Sequence, residues 1–457
     1  MKKILSSTLL LSAVPLAAMA QAEKPNVIFV LVDDLGYTDI EPYGQEKIQT
    51  PNLSQMAENG MQFMQFYSGS TVSAPSRASL MTGMHTGHTK IRGNKEIQPE
   101  GQEPVGDMLT LGDLFQTAGY ATGIFGKWGL GYPGSGSEPT KKGFDEFYGY
   151  NCQRQAHRFF PQWLWENDSK IMLNGEGYSQ DLIHQKALSF IQRNADKPFF
   201  AYVTYTLPHA ALEQPKDTIW AMYRDKFPET PYDGKRGYTP VDKPRAEFAA
   251  MVTRLDVYIG ELRAELERLG IAENTLLIFT SDNGPHIEGG ADPAFFANEL
   301  TPRGTKRALY EGGILVPTLM EWKGTIKADE KSELAAAFWD FMPTFAQLTG
   351  QEKSWKQPTD GISILPTITG KGKQKKHDYL YWEFHEEGGR QAIRQGDWKL
   401  IIQKINTGNP TYELYNLKSD PFEKTDLAAK YPKRVKKMTK KISKVRTQSD
   451  LFNFGIK

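Results

Sequence analysis

Asn26-Val-Ile-Phe-Val-Leu-Val32, followed at once by Asp33-Asp34-Leu-Gly36, decides the fold class. An unbroken apolar, β-rich run of this kind reads as a strand buried on both faces, the mark of a parallel sheet covered by helices. Open α/β sheets bind ligands beyond the carboxyl ends of their strands. Two adjacent carboxylates there offer hard oxygen donors to a divalent cation such as Ca²⁺. Taken alone they serve equally well as turn or helix-cap residues. The pattern recurs at Thr275–Thr280, which ends in Ser281-Asp282-Asn283-Gly284. Two strand ends with oxygen donors are harder to assign to turn chemistry than one. Asp282 and Asn283 converge with Asp33 and Asp34 if the two strands are neighbours. Pro198–Thr206 is a third buried run and ends in Leu207-Pro208-His209. A histidine, with a reference pKa of about 6.5, exchanges protons near neutral pH.

The remaining pattern fits helices around such a sheet. Thr50-Pro51-Asn52-Leu53 opens a helix through Asn59, and Met61–Tyr67 follows as a strand. Thr110–Gly119 is a capped helix with a glycine stop, and Asp181–Asn194 is amphipathic. The longest helical pattern is Pro244–Leu269, with Met251, Leu255, Tyr258, Ile259 and Leu262 on one face and Gly270 as its end. Residues 213–243 are proline- and charge-rich, an insertion near the rim of a cleft, and residues 285–304 form a loop. Ile314–Pro317 reads as a strand. A polar boundary at Gln351–Pro358 separates a second unit of short antiparallel strands at 378–384, 391–394, 398–403 and 412–416. The basic run Lys430–Arg446 carries an apolar stripe of Val435, Met438, Ile442 and Val445, so it is a surface helix with a solvated face.

Composition limits the function classes. Fifty-five Lys and Arg against 54 Asp and Glu leave a net charge of +1, with no bias toward nucleic acid or a membrane surface. Cys152 is the only cysteine, so the chain forms no internal disulfide, and a lone cysteine is most often a small buried hydrophobe. Residues 1–22 have the form of a signal peptide: Lys2 and Lys3, an apolar stretch from Leu5 to Ala18, and Ala18-Met19-Ala20 as a cleavage site. The stretch is too short to span a bilayer comfortably and no cysteine follows it. The expectation is export without a membrane anchor, to the periplasm of a Gram-negative bacterium.

Ser73-Ala-Pro-Ser-Arg-Ala-Ser-Leu-Met-Thr-Gly83 carries the chemistry. Pro75 suits the first helical position, which places Ser73 just before a helix whose free N–H groups favour an anion. Arg77 adds a fixed cation. By itself the stretch is equally an N-capping serine with a surface arginine. As a whole it resembles the signature of type I sulfatases, in which the first residue, Cys or Ser, is oxidised to formylglycine. Ser73 matches that position in its serine form, and Ser76, Arg77, Leu80, Thr82 and Gly83 match the rest. Residues 119–131, ending in Gly-Lys127-Trp-Gly-Leu-Gly, look like the second signature, and the resemblance extends over nearly the whole chain. One departure stands out. Many members carry a histidine two residues after that lysine, in contact with the formylglycine, and this chain has Gly129. His157 is the candidate replacement.

The resemblance implies an alkaline-phosphatase-like α/β sandwich: a large, mostly parallel mixed sheet between helices over residues 23–350. A smaller C-terminal antiparallel subdomain over 351–457 would close the substrate cleft. It implies Ca²⁺ held by Asp33, Asp34, Asp282, Asn283 and position 73. The sulfate would be held by Arg77, Lys127 and Lys306, the last preceding Tyr310-Glu-Gly-Gly, and His209 would protonate the departing sugar oxygen. A formylglycine formed from Ser73 would hydrate to a gem-diol, one hydroxyl attacking sulfur and the other expelling sulfate, and a serine-type maturation enzyme would be a required partner. The expected substrate is a sulfated glycan, with galactose or N-acetylgalactosamine as the sugar, a 4-O-sulfate first and 6-O next. Arg154, His157 and His385 are candidate sugar contacts. The rivals are a phosphomonoesterase or phosphodiesterase of the same superfamily and a silent sugar-binding relative. The scarcity of histidines, eight in all, speaks against a two-zinc site.

Overall fold

The computed structural model describes residues 24–455, so the expected signal segment lies outside the described residues. Its centre is a ten-stranded sheet. Across the sheet the strands run Glu330–Ser332, Met61–Phe63, Thr318–Glu321, Thr275–Ser281, Asn26–Val32, Phe199–Thr204, Ala121–Lys127, Glu146–Tyr150, Trp163–Glu166 and Ser169–Met172. The five from Thr275–Ser281 to Glu146–Tyr150 are parallel to one another. Their register pairs Val32 with Ser281, Leu31 with Thr204, Gly126 with Thr204, and Lys127 with Tyr150. Five carboxyl ends therefore finish on one line. Gly126 is required at the fourth of them, Ala121–Lys127: its φ is +122°, and a Cβ there would lie 1.9 Å from the Thr204 carbonyl oxygen.

Helices cover both faces, as strands buried on both sides demand. One face packs against Ser179–Arg193 and Pro244–Leu269 through Ile183, Phe190, Leu255, Ile259 and Leu262. The other packs against Ser73–Thr82, Leu111–Thr117 and Phe341–Leu348 through Ala78, Leu80, Leu114, Phe341 and Phe345. No helix of the described residues is long and apolar enough to cross a membrane.

Three expectations need correction. The signature helix starts at Ser73, two residues earlier than Pro75 suggests. Extended Val72 is its cap, and the Val72 carbonyl already accepts from the Ser76 N–H at 3.3 Å. Met61–Tyr67 is broken into Met61–Phe63 and Phe66–Tyr67, which join different sheets. Ile314–Pro317 is not a strand. Residues Glu311–Ile314 form a helical turn and the strand begins at Thr318. Gly312 and Gly313 press their α-carbons against the backbone of residues 302–308, so closely that a Cβ would meet it at 2.2 and 2.0 Å. The strands Ala121–Lys127, Glu146–Tyr150, Trp163–Glu166 and Ser169–Met172 had no reading from sequence.

The C-terminal sheet is an antiparallel meander of Leu380–Phe384, Arg390–Gln395, Trp398–Gln403 and Thr411–Asn416. The helix Pro432–Ile442 covers one side through Met438 and Ile442, as its stripe requires. The other side meets the large domain through Trp382, Ile401 and Tyr415 against Tyr67, Leu309 and Trp339. Buried ion pairs fix the contact. Glu383 Oε1 accepts from Arg92 at 2.8 Å and Glu383 Oε2 from Arg446 at 2.6 Å. Lys399 Nζ lies 2.7 Å from Glu311 and 2.9 Å from Glu423.

Burial pushes the Glu383 carboxyl up, but His385, Arg446 and Arg92 outweigh it and hold the group well below its ordinary 4.5. Glu383→Gln leaves two arginines facing a neutral amide and lowers unfolding stability by about 3 kcal/mol. A folded pKa below the unfolded one gives stability that is present above the unfolded value and lost as pH falls. The difference between wild type and Glu383→Gln, measured by urea unfolding, therefore narrows as pH drops below about 4.5.

Candidate active site at the carboxyl ends of the central strands

Asp33 and Asp34 leave the strand Asn26–Val32, and Asp282 and Asn283 leave its neighbour Thr275–Ser281. All four side chains are fully buried. The Asp282 N–H donates to the Val32 carbonyl at 2.9 Å, and Asp34 N–H donates to Asp282 Oδ1 at 3.2 Å. Asp34 has a φ of +63°, which turns its side chain into the cluster at some backbone cost. Asn283 Nδ2 donates to Asp34 Oδ1 at 2.6 Å, while Asn283 Oδ1 is buried without any partner.

Ser73 stands over this group. Its hydroxyl donates to Asp33 Oδ1 at 2.8 Å and accepts from Lys127 Nζ at 3.3 Å. Lys127, the last residue of its strand, also contacts Asp33 Oδ2 at 2.5 Å. Arg77, one helical turn beyond Ser73, donates from Nε to Asp282 Oδ2 at 3.0 Å. Its Nη1 holds the Lys127 carbonyl at 3.0 Å and the Thr204 hydroxyl. The backbone N–H of Ala74 donates to Asn94 Oδ1 at 3.0 Å, which anchors the helix start.

Opposite, Lys306 Nζ lies 2.8 Å from Asp34 Oδ2 and 3.1 Å from Glu288, and it donates to His209 Nε2 at 3.0 Å. His209 Nε2 thus acts as acceptor, and its Nδ1 faces the Ala210 carbonyl at 2.5 Å. His157 stacks on His209 at a centroid distance of 4.0 Å, and His286 lies on the far side at 5.3 Å. Burial, reinforced for His209 by Lys306 and for His157 by His209, holds both imidazoles well below 6.5, in the neutral form.

Burial and the adjacent Asp33 push the Asp282 carboxyl up to about 7 despite Arg77. Burial opposes ionisation of Asp33 too, but the charged Lys127 and Arg77 outweigh it and keep the carboxylate charged. Packed carboxylates and an orphaned amide oxygen, all from hard oxygen donors, fit a divalent cation of the calcium type. Asp33, Asp34 and His209 also lie close enough together to share an ion.

Nine of the sequence-derived site residues meet here: Asp33, Asp34, Ser73, Arg77, Lys127, His209, Asp282, Asn283 and Lys306. His157 joins them through its stack. Arg154 does not. Its guanidinium pairs with Glu96 at 2.7 Å and is 64% exposed. His385 sits in the C-terminal sheet, with Nε2 3.0 Å from Glu383 and its ring stacked on Phe454 at 4.1 Å. Gly129 has a φ of +75°, and a Cβ there would come within 2.4 Å of Gln153 Nε2. The Gln153 side chain therefore fills the volume that a residue-129 side chain would need.

Glu288, His286 and Tyr238 belong to the site and went unread. His286 follows Asn283-Gly-Pro, so it repeats the Pro-His pair of Pro208-His209, a signal that was present. Glu288 was hidden in a loop with no pattern. Its ionisation is opposed by burial, but Lys306 and Arg307 hold the carboxyl well below 4.5. Tyr238 comes from the insertion and packs at 5.8 Å from His157 and 6.0 Å from His209, which puts that insertion at the rim.

Comparison with known proteins accords with this geometry. The sulfatase family model matches residues 25–351, and a model of the N-sulphoglucosamine sulphohydrolase C-terminal region matches residues 304–448. An N-acetylgalactosamine-6-O-sulfatase of Bacteroides thetaiotaomicron is 29% identical over 93% of this chain and 94% of its own length. The N-acetylgalactosamine-6-sulfatase of Canis lupus familiaris is 30% identical over 79% of this chain and 69% of its own. The crystal structure of Ps i-CgsB with k-i-k-neocarrahexaose superposes with a TM-score of 0.80 at 28% identity, covering 94% of both chains. With the matched model spanning most of its length and the signature residues gathered in one pocket, the chain belongs to the type I sulfatase family, whose members hydrolyse sulfate esters.

Proposed function

We propose that the enzyme releases inorganic sulfate from a sulfated galactose or N-acetylgalactosamine within a glycan, after conversion of Ser73 to formylglycine. The observation that carries this reading is the position of Ser73. Its Oγ lies 2.8 Å from Asp33 and 3.3 Å from Lys127, in a buried cluster of three carboxylates and three cations. Two relatives named for N-acetylgalactosamine 6-sulfate support the 6-O ester as the first candidate and the 4-O ester as the second, the reverse of the order drawn from sequence.

Asp33, Asp34, Asp282 and Asn283 would hold Ca²⁺, which when bound supplies Lewis-acid stabilisation of charge on the sulfuryl oxygens. A hydrated aldehyde at position 73 would supply a hydroxyl nucleophile that plain serine does not, because its carboxylate partner Asp33 is a weak base already paired with Lys127. Arg77 is locked by Asp282, the Lys127 carbonyl and Thr204, so it presents a fixed charge and pays no reorganisation when substrate arrives. Lys127 and Lys306 turn from the carboxylates toward the sulfate. His209, neutral and hydrogen-bonded to the Lys306 ammonium, receives a proton through that contact and passes it to the departing sugar oxygen. Residues 1–22 serve export to the periplasm, and a serine-type maturation enzyme acts on Ser73.

When the protein is co-produced with such a maturation enzyme, the peptide containing residue 73 loses the mass of two hydrogens and sulfate release appears. Full activity of the unmatured Ser73 protein would contradict the reading. His209→Ala lowers kcat on a sulfated sugar by about 10²–10⁴-fold. The loss is much smaller on 4-nitrophenyl sulfate, whose leaving group needs no proton. Equal losses on both substrates, measured by sulfate release, would remove His209 from the acid role.

A further inference from the structure

A cavity of about 300 Å³ opens beside Lys306, on the side of the C-terminal sheet. Lys306 and Arg307 of the large domain line it together with Glu387, Arg390 and Gln403 of the C-terminal sheet, and Ile287 stands at its mouth. Lys306 belongs to both spaces, since its Nζ lies 2.8 Å from Asp34. A ligand in this cavity is therefore contiguous with one at the reaction centre.

The cavity already holds an anion of the protein's own. The Glu387 carboxylate lies between two guanidiniums, 3.6 Å from Arg307 Nε and 2.9 Å from Arg390 Nη2. Arg390 also donates to the Arg307 carbonyl, which fixes the two arginines relative to each other. Arg307 holds a φ of +73°, a conformation sparsely populated by residues other than glycine, and its side chain is braced by Glu288 at 2.5 Å. The Glu387 side chain is held less firmly. It is 49% exposed and sits in a turn where Glu387, Gly388 and Gly389 have φ values of +49°, +89° and +76°. Ion pairs at this exposure contribute only about 0–1 kcal/mol, so a competing anion displaces the carboxylate at little cost. Ile287, 66% exposed, offers an apolar surface to the C–H face of a sugar ring.

We propose that this cavity is a subsite for a second anionic group, a sulfate or carboxylate on the sugar next to the one being desulfated. Glu387 stands in for that group when substrate is absent. The proposal rests on the sugar-sulfatase reading above. The preferred substrate is then an oligosaccharide carrying anions on neighbouring sugars.

The test uses matured full-length enzyme and three disaccharides that share one scissile sulfate. The neighbouring sugar is neutral in the first, carries a second sulfate in the second and a carboxylate in the third. At least one anionic analogue is preferred about tenfold in kcat/KM, mostly through KM, as expected of one charge-assisted hydrogen bond. Whichever analogue is preferred identifies the anion. The preference falls toward one in Arg307→Gln and Arg390→Gln and widens in Glu387→Gln, where the competing charge is gone. A wild-type ratio near one overturns the subsite, and so does a ratio unmoved by both Arg307→Gln and Glu387→Gln. If 4-nitrophenyl sulfate and all three disaccharides go unhydrolysed, the sulfatase reading beneath the proposal fails as well.

Discussion

Three fully buried carboxylates, Asp33, Asp34 and Asp282, brought together at the ends of two adjacent strands constrain everything else in this protein. Like charges at such separations do not all remain ionised unless cations face them. The register that pairs Val32 with Ser281 makes the convergence unavoidable. The answering charges come from different parts of the fold: Arg77 from the signature helix, Lys127 from a strand end, and Lys306 from the loop before Glu311. Removing any one element would leave buried charge uncompensated, so the pocket and the fold hold each other in place.

The small C-terminal sheet is attached through buried contacts of its own. Glu383 and Lys399 are buried in ion pairs with residues of both domains, and Trp382 Nε1 donates to the Ser68 carbonyl at 2.9 Å. Ser68 lies just before the signature helix. Docking of the second sheet therefore also fixes the approach to Ser73. Glu386 Oε1 accepts from the Asn94 N–H at 3.2 Å, and Asn94 in turn holds the Ala74 N–H. A short relay thus joins the C-terminal turn to the residue after Ser73. That turn also carries Glu387, so the cavity beside Lys306 is tied to the start of the signature helix.

Much of this was legible before any coordinates. Apolar runs read at Asn26–Val32, Pro198–Thr206 and Thr275–Thr280 announced buried parallel strands, and the polar residues at their carboxyl ends are ones that the fold brings together. Pro244–Leu269 was readable because a long helix repeats its period many times. What escaped has physical reasons. Ala121–Lys127 and Glu146–Tyr150 contain glycines that sequence reading takes as loop signals, whereas Gly126 and Gly149 serve to let strands approach. The turn at Glu311–Ile314 is set by backbone contacts with residues 302–308 that have no local signal. Arg154 and His385 were drawn from the motifs that contain them, and a motif does not reveal which partner a side chain takes in the fold. Glu96 and Glu383 are their partners. The volume at Gly129 shows the same limit: Gln153 fills it, and only the folded chain brings position 153 beside position 129.

The central claim is that these carboxylates form a one-calcium pocket, with the lysines free to meet sulfate. The most direct measurement is a crystal structure of the matured protein grown with calcium and a sulfated sugar, with the metal identified by anomalous scattering. The account predicts one calcium bound by oxygens of Asp33, Asp34, Asp282 and Asn283, with Lys127 and Lys306 turned from the carboxylates onto the sulfate. Two zinc ions at the strand ends, or lysines still paired to Asp33 and Asp34 with no metal between the carboxylates, would contradict it.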